Sequence, residues 1–314
     1  MSYANTPPLH ERARGRWRSI LSHLGVADSF LSRRNGPCPM CGGKDRWRWT
    51  DHQGTGAWIC NHCGHGTGVD LLKALRGCEF REAAELIESV IGRAEPDRRP
   101  ERSEAELRAA MKEVWSMGRP VTSDCAVGLY LRRRIPGLTE FPKAIRSVPL
   151  LRHGAQQFPA MIAQVISPDG SAVNLHRTWL TKDGHKAPVD PARKIMPGTV
   201  PSGSAVRLGK PADGRLGIAE GIETALAASV RFGLPVWSVI AAGNMAGFRP
   251  PAEVSELWIF GDNDLSMVGQ AAAYLTARDV VRDRQKENRE IRVQVVIPER
   301  AGADWADVQT GDRE

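Results

Sequence analysis

No stretch of the 314 residues is apolar over anything near the ~20 positions that a membrane-spanning helix needs. The opening run "MSYANTPPLHERARGRWRS" has no apolar core of the kind a secretory leader carries. Both absences argue for a cytoplasmic protein with no membrane partner. No G-x-x-x-x-G-K-[ST] occurs, and the nearest echo, "LGKPADG", follows Lys210 with proline. A P-loop motor is thereby excluded. Tyrosine is scarce, with three in the chain, and cysteine is limited to six.

Four of those cysteines carry a pattern. "PCPMCGG" and "WICNHCGHG" place Cys38, Cys41, Cys60 and Cys63 as C-x2-C-x18-C-x2-C. That is the spacing of two knuckles closing one tetrahedral zinc site, and it argues against disulfides. His62 and His65 are possible substitutes, but all four cysteines are the expected ligands. With no open position for water, this Zn2+ is structural, one per chain. Cys78 and Cys125 remain as free thiols, in keeping with a reducing compartment.

Between the knuckles the chain reads as a hairpin. "RWRWT" alternates with period two, and "GAWIC" returns after the turn "DHQGTG". Arg46, Arg48 and Thr50 share one strand face, while Trp47 and Trp49 share the other. A ribbon this small needs aromatic packing. Yet nine basic and three acidic residues lie between positions 10 and 50. Arg46, Trp47 and Arg48 are therefore candidate contacts to single-stranded nucleic acid, with Trp47 available for stacking only if it is not core.

Charge is unevenly placed. The net balance is +3 over residues 1–92, +8 over 93–214 and −4 over 215–314. A basic front and middle joined to an acidic end suggests a polyanion track leading to a metal-binding centre. A helix is expected over roughly 9–24, and helical periodicity resumes in "GVDLLKALRGCEFREAAELIESVIG". "RAEPDRRPERSEAEL" reads as a linker, with helix from about Ser103. "AELRAAMKEVWSMG" and "SDCAVGLYLRRRI" read as helices, and "PAMIAQVISPDGSAVNLHRTWL" as a hairpin turning at Pro168-Asp169-Gly170. The last hundred residues alternate strand and helix, an α/β pattern with a mainly parallel sheet.

In such sheets function gathers at the carboxyl ends of strands. Glu220 ends "LGIA", and Asp262 and Asp264 follow "LWIF". Carboxylates so placed suit Mg2+, which takes one or two of them plus substrate phosphates. Asp264 and Glu223 are also suited to capping helices.

"AEGIETALAA" followed further on by "FGDND" resembles the Toprim domain shared by primases, topoisomerases and some nucleases. With the ribbon ahead of it, the order resembles the primase half of phage primase–helicases and is similar to the bacterial replicative primases. "CPMCGGKDRWRW" is close to the phage and plasmid subgroup, and "LHRTWLTKDGHKA" looks like that subgroup's middle region. The resemblance covers nearly the whole chain except the linker. It implies an α/β chain with a zinc-ribbon template-binding domain (1–92) and a flexible linker (93–102). An α+β RNA-polymerase-like region follows, made of a basic subdomain (103–214) and a Toprim catalytic domain (215–314).

The same resemblance implies roles. Glu220, Asp262 and Asp264 would hold Mg2+ or Mn2+, with Glu220 as ligand or general acid/base. Asp304 in "ERAGADWADV" lies where primases place a further acid, and Asp307 competes with it. His176, Arg177, Lys186 and Lys194 would meet nucleotide and template, Arg177 and Lys194 foremost because they flank a Gly/Pro-broken stretch. The implied activity is primer synthesis on single-stranded DNA from nucleoside triphosphates, for phage or plasmid replication. A replicative helicase would come from a separate chain. The competing classes are a Toprim nuclease and a non-catalytic zinc-ribbon DNA-binding regulator. Nothing resembles the tyrosine-bearing gate domains of a topoisomerase.

Overall fold

The computed structural model describes residues 7–97 and 103–311. The chain divides into two compact units, residues 1–103 and 104–314.

In the first unit, helices α1 (Leu9–Ala13) and α2 (Trp17–His23) lead into a four-stranded antiparallel ribbon. Its strands are β1 (Gly36–Cys38), β2 (Gly42–Trp49), β3 (Trp58–Cys60) and β4 (Gly64–Gly66), in that order. Helices α3 (Gly68–Arg76) and α4 (Phe80–Ile91) close it. The single helix expected over 9–24 is broken. Gly15 takes φ 68° and donates its N–H to the Gly54 carbonyl, so backbone docking stops the first turn of helix. Trp17, Trp47, Trp49 and Trp58 are all buried in this unit's core. Trp17 lies so close to Gly68 that a Cβ there would meet its ring at 2.2 Å. α3 begins with a reciprocal capping box between Thr67 and Asp70.

Residues 93–97, the first half of the linker expected from sequence, pack on this unit. Ala94 joins its core, Glu95 donates its N–H to Ser19 Oγ, and Asp97 donates to the Gly15 carbonyl. Arg98, Arg99 and the rest of that linker up to residue 102 lie outside the described residues.

The second unit holds α5 (Glu104–Ser116), α6 (Ala126–Arg134) and two sheets. The first is antiparallel, ordered β5 (Ile145–His153), β6 (Gln156–Ile166), β7 (Ala172–Trp179), β8 (Arg193–Ile195). β6 and β7 form the hairpin expected from sequence. β5 was not legible there, because Pro149 sits in a register shift between Val148 and Leu151 that breaks the alternation.

The second sheet contains β9 (Arg215–Ala219), β10 (Val236–Ser238), β11 (Glu256–Phe260) and β12 (Arg292–Val296). All its pairings are parallel, in the order β10-β9-β11-β12. The remaining helices are α7 (Ile222–Phe232), α8 (Ala242–Met245), α9 (Val268–Lys286) and α10 (Trp305–Thr310).

Both faces of the parallel sheet are covered, as its apolar strands require. Ala219, Val236 and Phe260 share a core with α6, α7 and the inner face of the antiparallel sheet. Ile218, Trp237 and Ile259 share another that includes Ala273 and Val280 of α9. One core thus joins the basic middle region to the acidic end, and residues 104–314 form one folding body.

A fragment beginning at Ser103 is therefore expected to be soluble and to unfold in one cooperative transition. Cys60→Ser in the full chain should abolish the transition of the first unit and leave the second in place. Calorimetry of the fragment and both full-length forms checks this, and an insoluble fragment would refute the boundary.

Candidate functional site

The four ribbon sulfurs come together. Cys38 Sγ and Cys63 Sγ are 4.0 Å apart, and Cys41 Sγ and Cys60 Sγ are 3.7 Å apart. All four lie within 4.8 Å of one another. A tetrahedron with Zn–S bonds of ~2.3 Å has edges of ~3.8 Å, so the thiols fit zinc. The knuckles supply backbone donors: Met40 N–H to Cys38, and the N–H groups of His62 and Cys63 to Cys60, each at 3.4 Å. Burial opposes ionisation of Cys60, yet those N–H groups pull its thiol down to about 7. His62 and His65 stay outside this sulfur cluster.

Trp47 is not available to a base. It is 1% exposed, donates Nε1–H to the Phe30 carbonyl at 2.8 Å, and stacks on Trp58 with centroids 5.1 Å apart. The stacking role proposed from sequence is thus corrected: the tryptophan face is needed for the core of so small a domain. Arg46 is half-buried and reaches Cys41 Sγ, lying over a knuckle. Arg48 is exposed, opposite Ile59, which is itself opposite His65. The outward face of the ribbon is therefore cationic and lightly apolar.

The acidic crevice forms where the parallel sheet reverses direction. β9 has β10 on one side and β11 on the other, and the chain visits them in turn. Ala219 lies opposite Phe260, so the strand-end acids of β9 and β11 flank one switch point. The Glu220 carbonyl accepts from Ser238 Oγ and Ile240 N–H, both at 2.8 Å.

Asp262 is the focus. Burial, then Asp304, Glu220, Asp264 and Asp307, raise its carboxyl to about 7. Its Oδ1 is buried with no hydrogen-bond partner. Asp264 is turned to α9, accepting from Ser266 Oγ (2.6 Å), Val268 N–H (3.1 Å) and Gly269 N–H (2.7 Å). These donors hold it below the usual carboxylate range. Asp264 thus takes up the first N–H groups of α9 from outside the N-cap position, which is Met267. Asp304 caps α10, accepting from Asp307 N–H at 2.8 Å. Asp307 is paired with Arg134 at 3.0 Å, which leaves Asp304 the better supplement to Asp262.

Asn263, which sequence reasoning missed, ties these loops together. It donates its N–H to the Ala303 carbonyl and its side-chain amide to the Pro298 carbonyl, and accepts from Gln270 Nε2. Its place between two acids was the only signal in the sequence.

The thiols are the closest-packed metal-ligating group among the described residues; the crevice acids are gathered more loosely. An orphan buried carboxylate oxygen among further acids fits Mg2+ or Mn2+, which leave several positions to water and substrate phosphates.

The basic residues divide between two faces of the antiparallel sheet. His176 lies opposite Ala163 on the inner face, and Arg177 lies opposite Ile162 on the other. Arg177 packs over Trp179, 4.9 Å from its centroid, and donates to the Ile195 carbonyl. Lys194, opposite Arg177, is exposed on that outer face. The two favoured cations thus sit on the sheet face away from the acids, because side chains alternate along β7 and β8. Lys186 is on the inner side, within the electrostatic reach of Glu223 and Asp304, and burial lowers its ammonium. His176 is held neutral by burial, its pKa near 4. Sequence reasoning missed Arg134 and Arg193, whose "RRR" and "ARK" contexts do not mark one cation above its neighbours.

Residues 33–69 match the zinc-binding domain of primase-helicase, and residues 215–312 match the Toprim domain. Residues 105–208 match a domain of unknown function. By its domains the chain carries a primase-helicase type of zinc-binding domain ahead of a Toprim domain. Remote structural likeness extends to the zinc-binding and RNA polymerase domains of the Aquifex aeolicus primase: 13% identity, 98% of this chain, 84% of that one, TM-score 0.39. It extends also to the primase fragment of the bacteriophage T7 primase-helicase: 13% identity, 88% and 94%, TM-score 0.40. Likeness at this distance gives no residue correspondence. No helix among the described residues is long and apolar enough to cross a membrane.

Two outcomes are expected. Trp47→Ala should cost ~3–5 kcal/mol, enough to release zinc from a unit this small, whereas Arg48→Ala should retain it. Zinc content by atomic absorption distinguishes them.

The second concerns Asp262. Its raised pKa means that the unfolded chain loses this proton first, from about pH 4, while the folded chain holds it to about 7. Metal-free stability should therefore fall across that window and level off above it. Asp262→Asn should abolish the fall, with a Tm gain that grows from pH 4 to 7, at ~2–4 °C per kcal/mol. A pH series of melts without divalent cations, showing equal profiles for both proteins, would refute the burial and repulsion at Asp262.

Proposed function

We propose that the chain is a DNA primase making short primers on single-stranded DNA by metal-dependent nucleotidyl transfer, in phage or plasmid replication. The observation that carries this is the union, in one chain, of a primase-helicase zinc-binding domain with a Toprim domain whose acids surround a partnerless Asp262 oxygen. In this reading the chain works with a replicative helicase, and the ribbon holds template through Arg48 and Arg46.

The 3′-hydroxyl of one nucleotide attacks the α-phosphate of the next. A P–O bond forms as the bond to the bridging oxygen breaks, and pyrophosphate leaves. Glu220 takes the hydroxyl proton. Mg2+ or Mn2+ held by Glu220, Asp262 and Asp264, with Asp304 in support, would supply charge stabilisation at the phosphate and leaving group. Lys186 and His176 line the approach on the inner sheet face. Positioning and electrostatics do most of the work in such a transfer, and the chain supplies both.

Labelled nucleoside triphosphates on a mixed-sequence single-stranded template, with Mg2+ or Mn2+, should yield short oligonucleotides. Asp262→Ala should reduce that yield to background while its melting curve stays cooperative. Nicking of supercoiled DNA without primer synthesis would instead identify a Toprim nuclease, and neither activity a DNA-binding regulator.

A further inference from the structure

Glu223 is buried deep beside the acidic crevice without belonging to it. It lies in the first turn of α7, where its carboxylate accepts from its own backbone N–H. Its Oε1 accepts from Tyr130 Oη–H at 2.6 Å, across from α6. Its Oε2 is 3.7 Å from Arg193 Nη1, a side chain that is 49% exposed at the sheet edge. Burial opposes ionisation of Glu223, but Arg193 and the Tyr130 hydroxyl keep it below the usual carboxylate range. A charged carboxylate buried this fully costs several kcal/mol unless paired. Here the partner is a cation whose side chain is about half exposed.

The surroundings point to an anionic ligand. Arg193 lies opposite Thr178, on the sheet face that carries His176. His176 is neutral, and its buried Nδ1 has no hydrogen-bond partner. Lys186 feels Arg193, Glu223, Arg134 and Asp304, which links this cluster to the acids around Asp262. At 3.7 Å the Arg193–Glu223 contact orients the guanidinium without locking it into a bidentate bond.

We propose that Glu223, steadied by Tyr130, is a positioning residue that holds Arg193 facing the crevice, where Arg193 binds the triphosphate of the incoming nucleotide. This rests on the primase reading, and it moves the triphosphate contact from Lys194 to its neighbour Arg193. Glu223 acts through Arg193 and touches no substrate. The shared chemistry is phosphate, whose two sources are the nucleotide and the template backbone. The exposed edge strand and the nearness of the acids favour the nucleotide.

A double-mutant cycle tests the idea. Equilibrium binding of labelled ATP, with inorganic tripolyphosphate as competitor, is measured beside binding of a single-stranded oligonucleotide and primer synthesis. Arg193→Ala should weaken ATP binding about tenfold or more, and Arg193→Lys should recover part of it. Glu223→Gln preserves shape and can still accept from Tyr130. It should weaken ATP severalfold, raise KM for nucleotide more than it lowers kcat, lower the Tm only modestly with unfolding still cooperative, and leave oligonucleotide affinity unchanged. Adding Glu223→Gln to Arg193→Ala should have no further effect, because the first acts through the second.

If Glu223→Gln does not fold, Tyr130→Phe carries the same test, with a smaller loss of ATP affinity expected. Additive effects, or unchanged ATP binding in a folded Glu223→Gln protein, would overturn the proposal. So would equal losses for ATP and oligonucleotide, which would assign Arg193 to the template. An active wild type with an additive cycle sinks only the positioning role. A non-additive cycle in a protein that binds ATP but makes no primers sinks only the primase reading.

Discussion

Ala219 lies opposite Phe260 in a parallel pair whose strands, β9 and β11, are separated in sequence by a helix, a third strand and a short helical turn. The acidic crevice exists because of that pairing. It sets Glu220 level with Gly261 and leaves Asp262 one residue beyond, at the point where the chain's path through the sheet reverses. β12 then extends the sheet on the far side of β11 and returns the chain to Asp304. A slip of one residue would turn every β11 side chain to the opposite face and take Ile259 and Phe260 out of their separate cores. Burial on both faces thus fixes the register, and the register fixes the acids.

Gathering like charges opposes folding, and the structure compensates each acid differently. Asp264 is absorbed by the N–H groups at the start of α9, Asp307 by Arg134, and Glu223 by Arg193 and Tyr130. Asp262 is left with repulsion, burial and an oxygen that has no partner. The under-compensated group is the one a cation would relieve most, which makes Asp262 the centre of the candidate site.

The ribbon shows the opposite balance. Four tryptophans, with helices on either side in sequence, fill the core of a unit of about a hundred residues. A domain of that size has little apolar area to spare, so rings that looked free for stacking are needed inside. The exposed side chains of the ribbon include Lys44, Arg48, Ile59 and His65. Contact there would come from charge and hydrogen bonding more than from stacking.

Much was legible in the residues alone. The zinc ligands were, because metal geometry constrains short spacings that sequence displays directly. So were the alternation of strands and helices in the last hundred residues and the strand-end acids, because periodicity and the loop after each strand are local properties. Other features were decided only by tertiary structure. Arg177 and Lys194 were favoured over His176 and Lys186 until strand pairing placed both on the sheet face away from the acids. β5 was hidden by a proline at a bulge. Tyr130 and Arg193 are unremarkable in sequence, and Glu223 offered only a helix cap, since α6, α7 and β8 meet only in the fold. Local chemistry fixes which residues can bind metal or phosphate, but the long-range packing of two sheets fixes which of them meet, and burial then decides their charge.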